Sequence, residues 1–234
     1  MADEALFTSS NELDIPDLSL DMCADYLVLP YIQWGSVARY RAMTGTWGFY
    51  IDDVVMEPVW SDPDKMLKST PYAVIEPNFS MTVDTPAALA IWQVYRKRWL
   101  SRFWQTKGIR TIVDLSVHAK WGDLNLVGVP RGWWAFCTRG YTREPDRLFL
   151  DQYEHAREIA AGSGKFLFIV YGGGAEFKSR FPQLKDVLWS CDLEEELDGY
   201  RWSSWQIGKG LHETGQTLKV EPARETWKNG EFEF

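Results

Sequence analysis

The sequence predicts a parallel α/β fold, an incomplete or degenerate (β/α) barrel-like single domain, and three observations carry that expectation. Five short apolar runs each finish in polar residues. Helical or loop stretches separate most of them, and 234 residues fall short of the roughly 250 that a full eight-stranded barrel takes. A small open parallel sheet is the competing arrangement. The α/β body spans residues 26–200, between an acidic N-terminal arm over 1–25 and a polar C-terminal extension over 201–234.

Taken in order, the arm has little periodicity and reads as extended or partly ordered chain, lying over the domain or solvated. The apolar segment Tyr26-Leu27-Val28-Leu29-Pro30-Tyr31 leads into the body, and the first strand covers about 47–53, ending in Asp52 and Asp53. Asp62-Pro63 opens a short helix, with Asp as cap and Pro in the first turn. The second strand is 72–75. Pro77 cannot donate to a ladder, which leaves Glu76, Asn78 and Ser80 on a loop. The longest helix runs from about 86 to 107 and Gly108 closes it. Leu89, Trp92, Tyr95 or Arg96, Trp99 and Phe103 recur there at steps of three and four, predicting one buried face. The third strand, 110–117, leads into His118, and the fourth, 133–137, ends at Thr138-Arg139-Gly140. A helix over about 146–161 carries Phe149, Tyr153 and Ala156 on one face, and Gly162 and Gly164 terminate it. The fifth strand, 166–171, runs into Gly172-Gly173-Gly174.

With 45 % hydrophobic and 25 % charged residues, the chain can bury a sizeable core. Thirteen Trp predict that most pack inside and some line a groove, because each N–H needs a partner. No apolar run approaches a membrane span and the acidic N-terminus lacks signal-peptide character, so a cytoplasmic location is expected. Cys23, Cys137 and Cys191 are odd in number and widely spaced, which reads as reduced thiols. A net charge of −8 argues against a protein coated in phosphate contacts. The charge is uneven, however: residues 1–38 hold seven acids and no base, and 85–110 hold six bases and no acid.

Several ordered blocks carry a resemblance: Phe49-Tyr50-Ile51-Asp52-Asp53, Val59-Trp60, Pro77-Asn78-Phe79-Ser80, Ile91 through Trp99, Gln105-Thr106-Lys107-Gly108-Ile109, and Gly128-Val129-Pro130. Together, over about residues 30–180, they resemble the bacterial and phage domain-of-unknown-function family numbered 4417. The resemblance implies an association with phages and mobile elements and a barrel-like α/β architecture, with no mechanism attached. It places Asp where this chain has Asn78.

Ligands of parallel α/β sheets bind beyond the carboxyl ends of strands. That rule gathers Asp52, Glu76, Asn78, Ser80, Asp114, Ser116, His118, Arg139 and Tyr171 at one rim. Asp52, Glu76 and Asp114 would hold Mg²⁺ or Mn²⁺, with His118 joining them as catalytic groups. Asn78, Ser80, Ser116, Arg139 and Tyr171 would contact substrate, and Gly172 and Gly173 would offer backbone N–H groups to a phosphate. Adjacent strand residues point oppositely, so only one of Asp52 and Asp53 faces a pocket, and Asp52 is the choice. A structural reading of the same groups makes Asp52 or Asp53 a turn cap, pairs Asp114 with Arg139 and bonds His118 within its loop. On the long helix, Arg96, Lys97, Arg98 and Arg102 mixed with Trp form a candidate nucleic-acid surface, against the alternative of an amphipathic helix with solvated charges.

The function expected from these groups is a metal-assisted enzyme acting on a nucleotide-like or phosphodiester substrate. The alternative is a non-catalytic module that binds nucleic acid or a host protein, as a counter-defence or replication accessory factor.

Overall fold

The computed structural model describes residues 7–35, 44–141, 145–196 and 218–220. Seven strands form one all-parallel sheet: β2 (Tyr31–Gln33), β3 (Thr46–Gly48), β4 (Ala73–Ile75), β5 (Arg110–Asp114), β6 (Ala135–Arg139), β7 (Leu167–Tyr171) and β8 (Val187–Trp189). Their order across the sheet is their order in the chain. A doubly wound sheet reverses direction at a switch point; this one never does, so every crossover steps the same way and the sheet curls into a half-barrel. Contacts across the concave face confirm the curl. Tyr31 of β2 meets Tyr171 of β7 edge-on at 5.6 Å, although five strand positions separate them. A second, two-stranded sheet pairs β1 (Leu27–Leu29) antiparallel with β9 (Leu218–Val220).

Six α-helices lie among the described residues, α1 (Asp53–Ser61), α2 (Ala87–Thr106), α3 (Gly122–Asn125), α4 (Asp146–Ala160), α5 (Gly174–Ser179) and α6 (Ser190–Glu196), with short 3-10 turns at Leu20–Met22, Pro63–Lys68 and Ala119–Trp121. All five expected strands are present, with β3 ending at Gly48 rather than at Asp53. Two further strands, β2 and β8, join them, β2 at the end of the apolar lead-in over 26–31. Residues 7–25 are packed as well as acidic. Ile15, Leu18, Cys23 and Ala24 are buried, Leu18 N–H donates to Gly128 C=O, and Cys23 bridges Thr111 of β5. The expected extension over 201–234 lies outside the described residues, apart from β9.

Side chains from Trp34, Trp47, Phe49, Val74 and Trp104 form a cluster beneath α1 and α2. Tyr31, Ile75, Cys137, Ile169 and the α4 residue Phe149 belong to another. Trp indoles are satisfied inside, as their size and single donor demand: Trp47 donates to Ser69 Oγ at 2.8 Å and Trp104 to the Pro63 carbonyl at 3.1 Å. Truncating either costs about 3–5 kcal/mol. The helix face expected on α2 is met at Trp99 and Phe103, which are buried, and fails toward its start. Leu89 and Trp92 are 44 % and 42 % exposed, whereas Val94, Lys97, Arg98, Ser101 and Trp104 are buried. Packing on several sides, not a single stripe, surrounds the rest of this helix, so an apolar period could not locate its buried positions.

Candidate functional site

Strand alternation builds the mouth. Along β6 the Thr138 hydroxyl donates to Gln152 of α4 at 2.6 Å, on the helical side, so its neighbours Cys137 and Arg139 take the other side. Along β7, Phe168 meets Phe149 of α4, whereas Tyr171 packs against Tyr31 and stacks on Tyr50, with ring centroids 5.3 Å apart. Close approach here needs Gly48, because a Cβ at that position would lie 2.6 Å from Tyr31 and Gln33 side-chain atoms. Gln33 ties the layer together, donating to Tyr31 Oη at 3.1 Å and accepting the Tyr50 backbone N–H at 2.8 Å. Above it, the Arg139 guanidinium lies 5.8 Å from the Tyr50 ring and 5.1 Å from the Tyr141 ring. Arg139 is exposed, and no carboxylate among the described residues pairs with it.

Asp114 closes the floor, and its four acceptor positions are filled. Oδ1 accepts from Tyr50 O–H at 2.9 Å and Ser116 N–H at 3.0 Å; Oδ2 accepts from Asn78 Nδ2 at 2.8 Å and Lys97 Nζ at 2.9 Å. A carboxylate offers about four such positions, so this one has none left for a metal or a substrate proton. Lys97 is spent in the same network, also bonding Asn125 Oδ1 at 2.8 Å. The ion partner of Asp114 is therefore Lys97, and the proposed pairing with Arg139 does not form. Burial pushes the Tyr50 phenol well above its ordinary range, and the nearby Asp114 charge adds to the rise; burial does the same to Tyr31 and to the Cys137 thiol. The mouth is lined by the phenols of Tyr31, Tyr50, Tyr141 and Tyr171 and by the Arg139 guanidinium.

Glu76 is fully buried and pairs with Arg98, while its Oε2 accepts the Asp114 N–H at 3.3 Å. Both partners of that ion pair sit behind the sheet, because Glu76 lies one residue past β4 and points toward α2. Asp52 is exposed at the start of α1, and its neighbour Asp53 is the one that reaches the adjacent loop, accepting from Ser80 N–H at 3.1 Å and Ser80 O–H at 3.1 Å. Glu76 and Asp114 are neighbours, yet with Asp52 they build no metal site: among the described residues no group of three His, Cys, Asp or Glu side chains could hold a metal ion. His118 is exposed and caps the turn at 119–121, its Nδ1 accepting Lys120 N–H at 3.2 Å. Gly172 and Gly173 turn the chain with φ of 76° and 75°, and the Gly172 N–H donates to Ser190 Oγ at 3.0 Å. Ser116 and Tyr141 share a hydroxyl–hydroxyl bond of 2.7 Å at the rim.

The basic run of α2 faces inward. Arg96 stacks over the Phe79 ring at 3.9 Å and pairs with Glu57, while Lys97 and Arg98 are 1 % and 0 % exposed. Arg102 is half-buried against Phe7. Three of these four cations neutralise carboxylates of the protein itself, so they do not form the surface that would track a phosphate backbone. Sequence reasoning missed Tyr31, Tyr50 and Tyr141, and the anchoring role of Asn125. The two-residue period was a usable signal for Tyr141, which lies two positions past Arg139. A separate crevice of about 80 Å³ between α3 and α4 is lined by Leu115, Val117, Asn125, Leu126, Leu148 and Gln152.

Residues 7–158 match the family model of a domain of unknown function, DUF4417, which agrees with the resemblance read over about 30–180. Two curated relatives are each named Gene 1 protein. The one from Mycobacterium phage D29 is 35 % identical over 137 residues, covering 54 % of this chain and 48 % of the relative; that from Mycobacterium phage L5 is 34 % identical over 138 residues, covering 54 % and 56 %. The match thus spans about half the length of either relative. No solved structure matches the chain. No described helix is long and apolar enough to cross a membrane.

Proposed function

The chain belongs to the DUF4417 family, which has phage members, and we propose that its half-barrel mouth binds a small anionic ligand carrying a flat ring, a nucleotide-like molecule, as a recognition module. Arg139 carries the reading. It is an exposed cation over two tyrosine rings at the carboxyl ends of parallel strands, where ligands of such sheets bind. Guanidinium groups pair with phosphate through two parallel hydrogen bonds, and phenol faces stack on bases. The metal-assisted reading of the same rim requires Asp52, Glu76 and Asp114 to share an ion, and the internal pairing of the last two favours recognition over chemistry.

Calorimetric titration with nucleoside monophosphates tests this. Arg139→Ala is expected to weaken binding about tenfold or more, the effect of losing a charge-assisted hydrogen bond. Equal affinity of the variant and the parent rejects the site. Turnover of a phosphodiester that needs Mg²⁺ and disappears in Asp114→Asn would return the enzyme reading to first place.

A further inference from the structure

We infer that the anionic group taken by this mouth is a terminal phosphate monoester, with three free oxygens, and that the Ser116–Tyr141 hydroxyl pair donates to it beside Arg139. The inference rests on the mouth being a ligand site, and it follows from the donors gathered at the Arg139 end. Asp114 and Cys137 face one another in the β5–β6 register. Ser116 and Arg139 each lie two positions past that pair, so they come up side by side at the carboxyl ends of neighbouring strands. Tyr141, two positions further on, holds its ring 5.1 Å from the guanidinium and its hydroxyl 2.7 Å from Ser116 Oγ. A hydroxyl carries one proton and two lone pairs. One of the two protons fills the Ser116–Tyr141 bond, and no acceptor among the described residues takes the other, whichever oxygen holds it. The Arg139 guanidinium has aromatic neighbours but no hydrogen-bond acceptor among the described residues. A guanidinium fork engages two oxygens of an anion through parallel bonds. A carboxylate or a phosphodiester has no further free oxygen, which leaves the hydroxyl proton unmatched. A terminal phosphate brings a third oxygen to it.

The test compares adenosine 5′-monophosphate with its phosphate methyl ester, which keeps base and sugar and caps one oxygen, using calorimetry on the full chain. The monophosphate is expected to bind about tenfold more tightly or better, the effect of one hydrogen bond to a charged group. Its second charge also favours it at Arg139, so the ratio is measured again in the double variant Ser116→Ala/Tyr141→Phe. Both partners of the hydroxyl bond there become apolar groups of similar shape, a change that folding tolerates. The ratio should then fall about fivefold or more, while Arg139→Ala weakens both ligands. Either single variant removes one proton together with the mutual bond and still leaves one proton free, so it should keep most of the preference. A 5′-phosphorylated oligodeoxyadenylate titrated in parallel assigns the source: tighter binding than the mononucleotide points to a strand end, and equal or weaker binding to a free nucleotide. An unchanged ratio in the double variant, or its full loss in both single variants, overturns the donor role of the pair and with it the terminal-phosphate inference. Binding that still depends on Arg139 then leaves the mouth as a ligand site. No Arg139-dependent binding of either ligand overturns both.

Discussion

Lys97 and Asp114 are 1 % and 0 % exposed, and removing one partner strands the other's charge away from water. Lys97→Met is therefore expected to destabilise the protein by about 3–5 kcal/mol in urea unfolding, whereas Arg102→Met, at a half-buried site, should stay within about 0.5 kcal/mol. Alkali acts on the same interior. Cys23 is pushed up by burial from 9.0 to about 12, and Tyr31 and Tyr50 rise from their ordinary 10.0. Each group binds its proton more tightly folded than unfolded, so its contribution is complete below about pH 9 and is lost as pH climbs toward about 12. Denaturant midpoints measured across that window should fall steadily, and a flat profile would contradict the burial of these groups. Sequence alone located Asp114, Arg139 and Tyr171 at strand ends. It could not see that Asp114 is saturated, because three of its four donors come from residues 17, 36 and 64 positions away.

At the level of elements, short strands were legible where apolar runs stood between glycines, prolines and charges, as with β6 and β7. They were illegible where three residues had to speak for themselves. Val187-Leu188-Trp189 sits among acids, and Tyr31-Ile32-Gln33 follows a proline, so neither shows a period. Helix α2 shows the opposite failure: its boundaries were clear, while its charges were assigned to solvent. Arg98 pairs with Glu76 and also donates to the Val127 carbonyl at 3.0 Å, linking α2 to both β4 and the chain after α3. Arg98→Ala should thus lower the thermal midpoint far more than Arg102→Ala, by the several kcal/mol of an orphaned buried carboxylate. Equal midpoints for the two variants would show that the buried pairing does not form.

On the scale of the whole molecule, the N-terminal segment contributes Ile15, Leu18, Cys23 and Ala24 to the core while most of its other described residues stay at the surface. Leu18, Cys23 and Ala24 share a cluster with Ala135 of β6 and Leu167 of β7, and the Trp134 indole donates to the Ala24 carbonyl at 2.8 Å. Deleting residues 1–25 is expected to give a protein that melts early or aggregates, as circular dichroism and light scattering would reveal; an unchanged melt would make the segment dispensable. Its acidity masked this from the sequence, because the apolar residues that bury, Ile15, Leu18 and Cys23, are spaced irregularly among the charges. The strictly sequential strand order has a consequence for synthesis. As the chain leaves the ribosome, each strand from β3 to β8 finds the neighbour it needs already emerged, so the curled sheet can be laid down one unit at a time. Only β1 must wait, because its partner β9 is made 189 residues later, and a translating intermediate therefore carries one unsealed seam until the end.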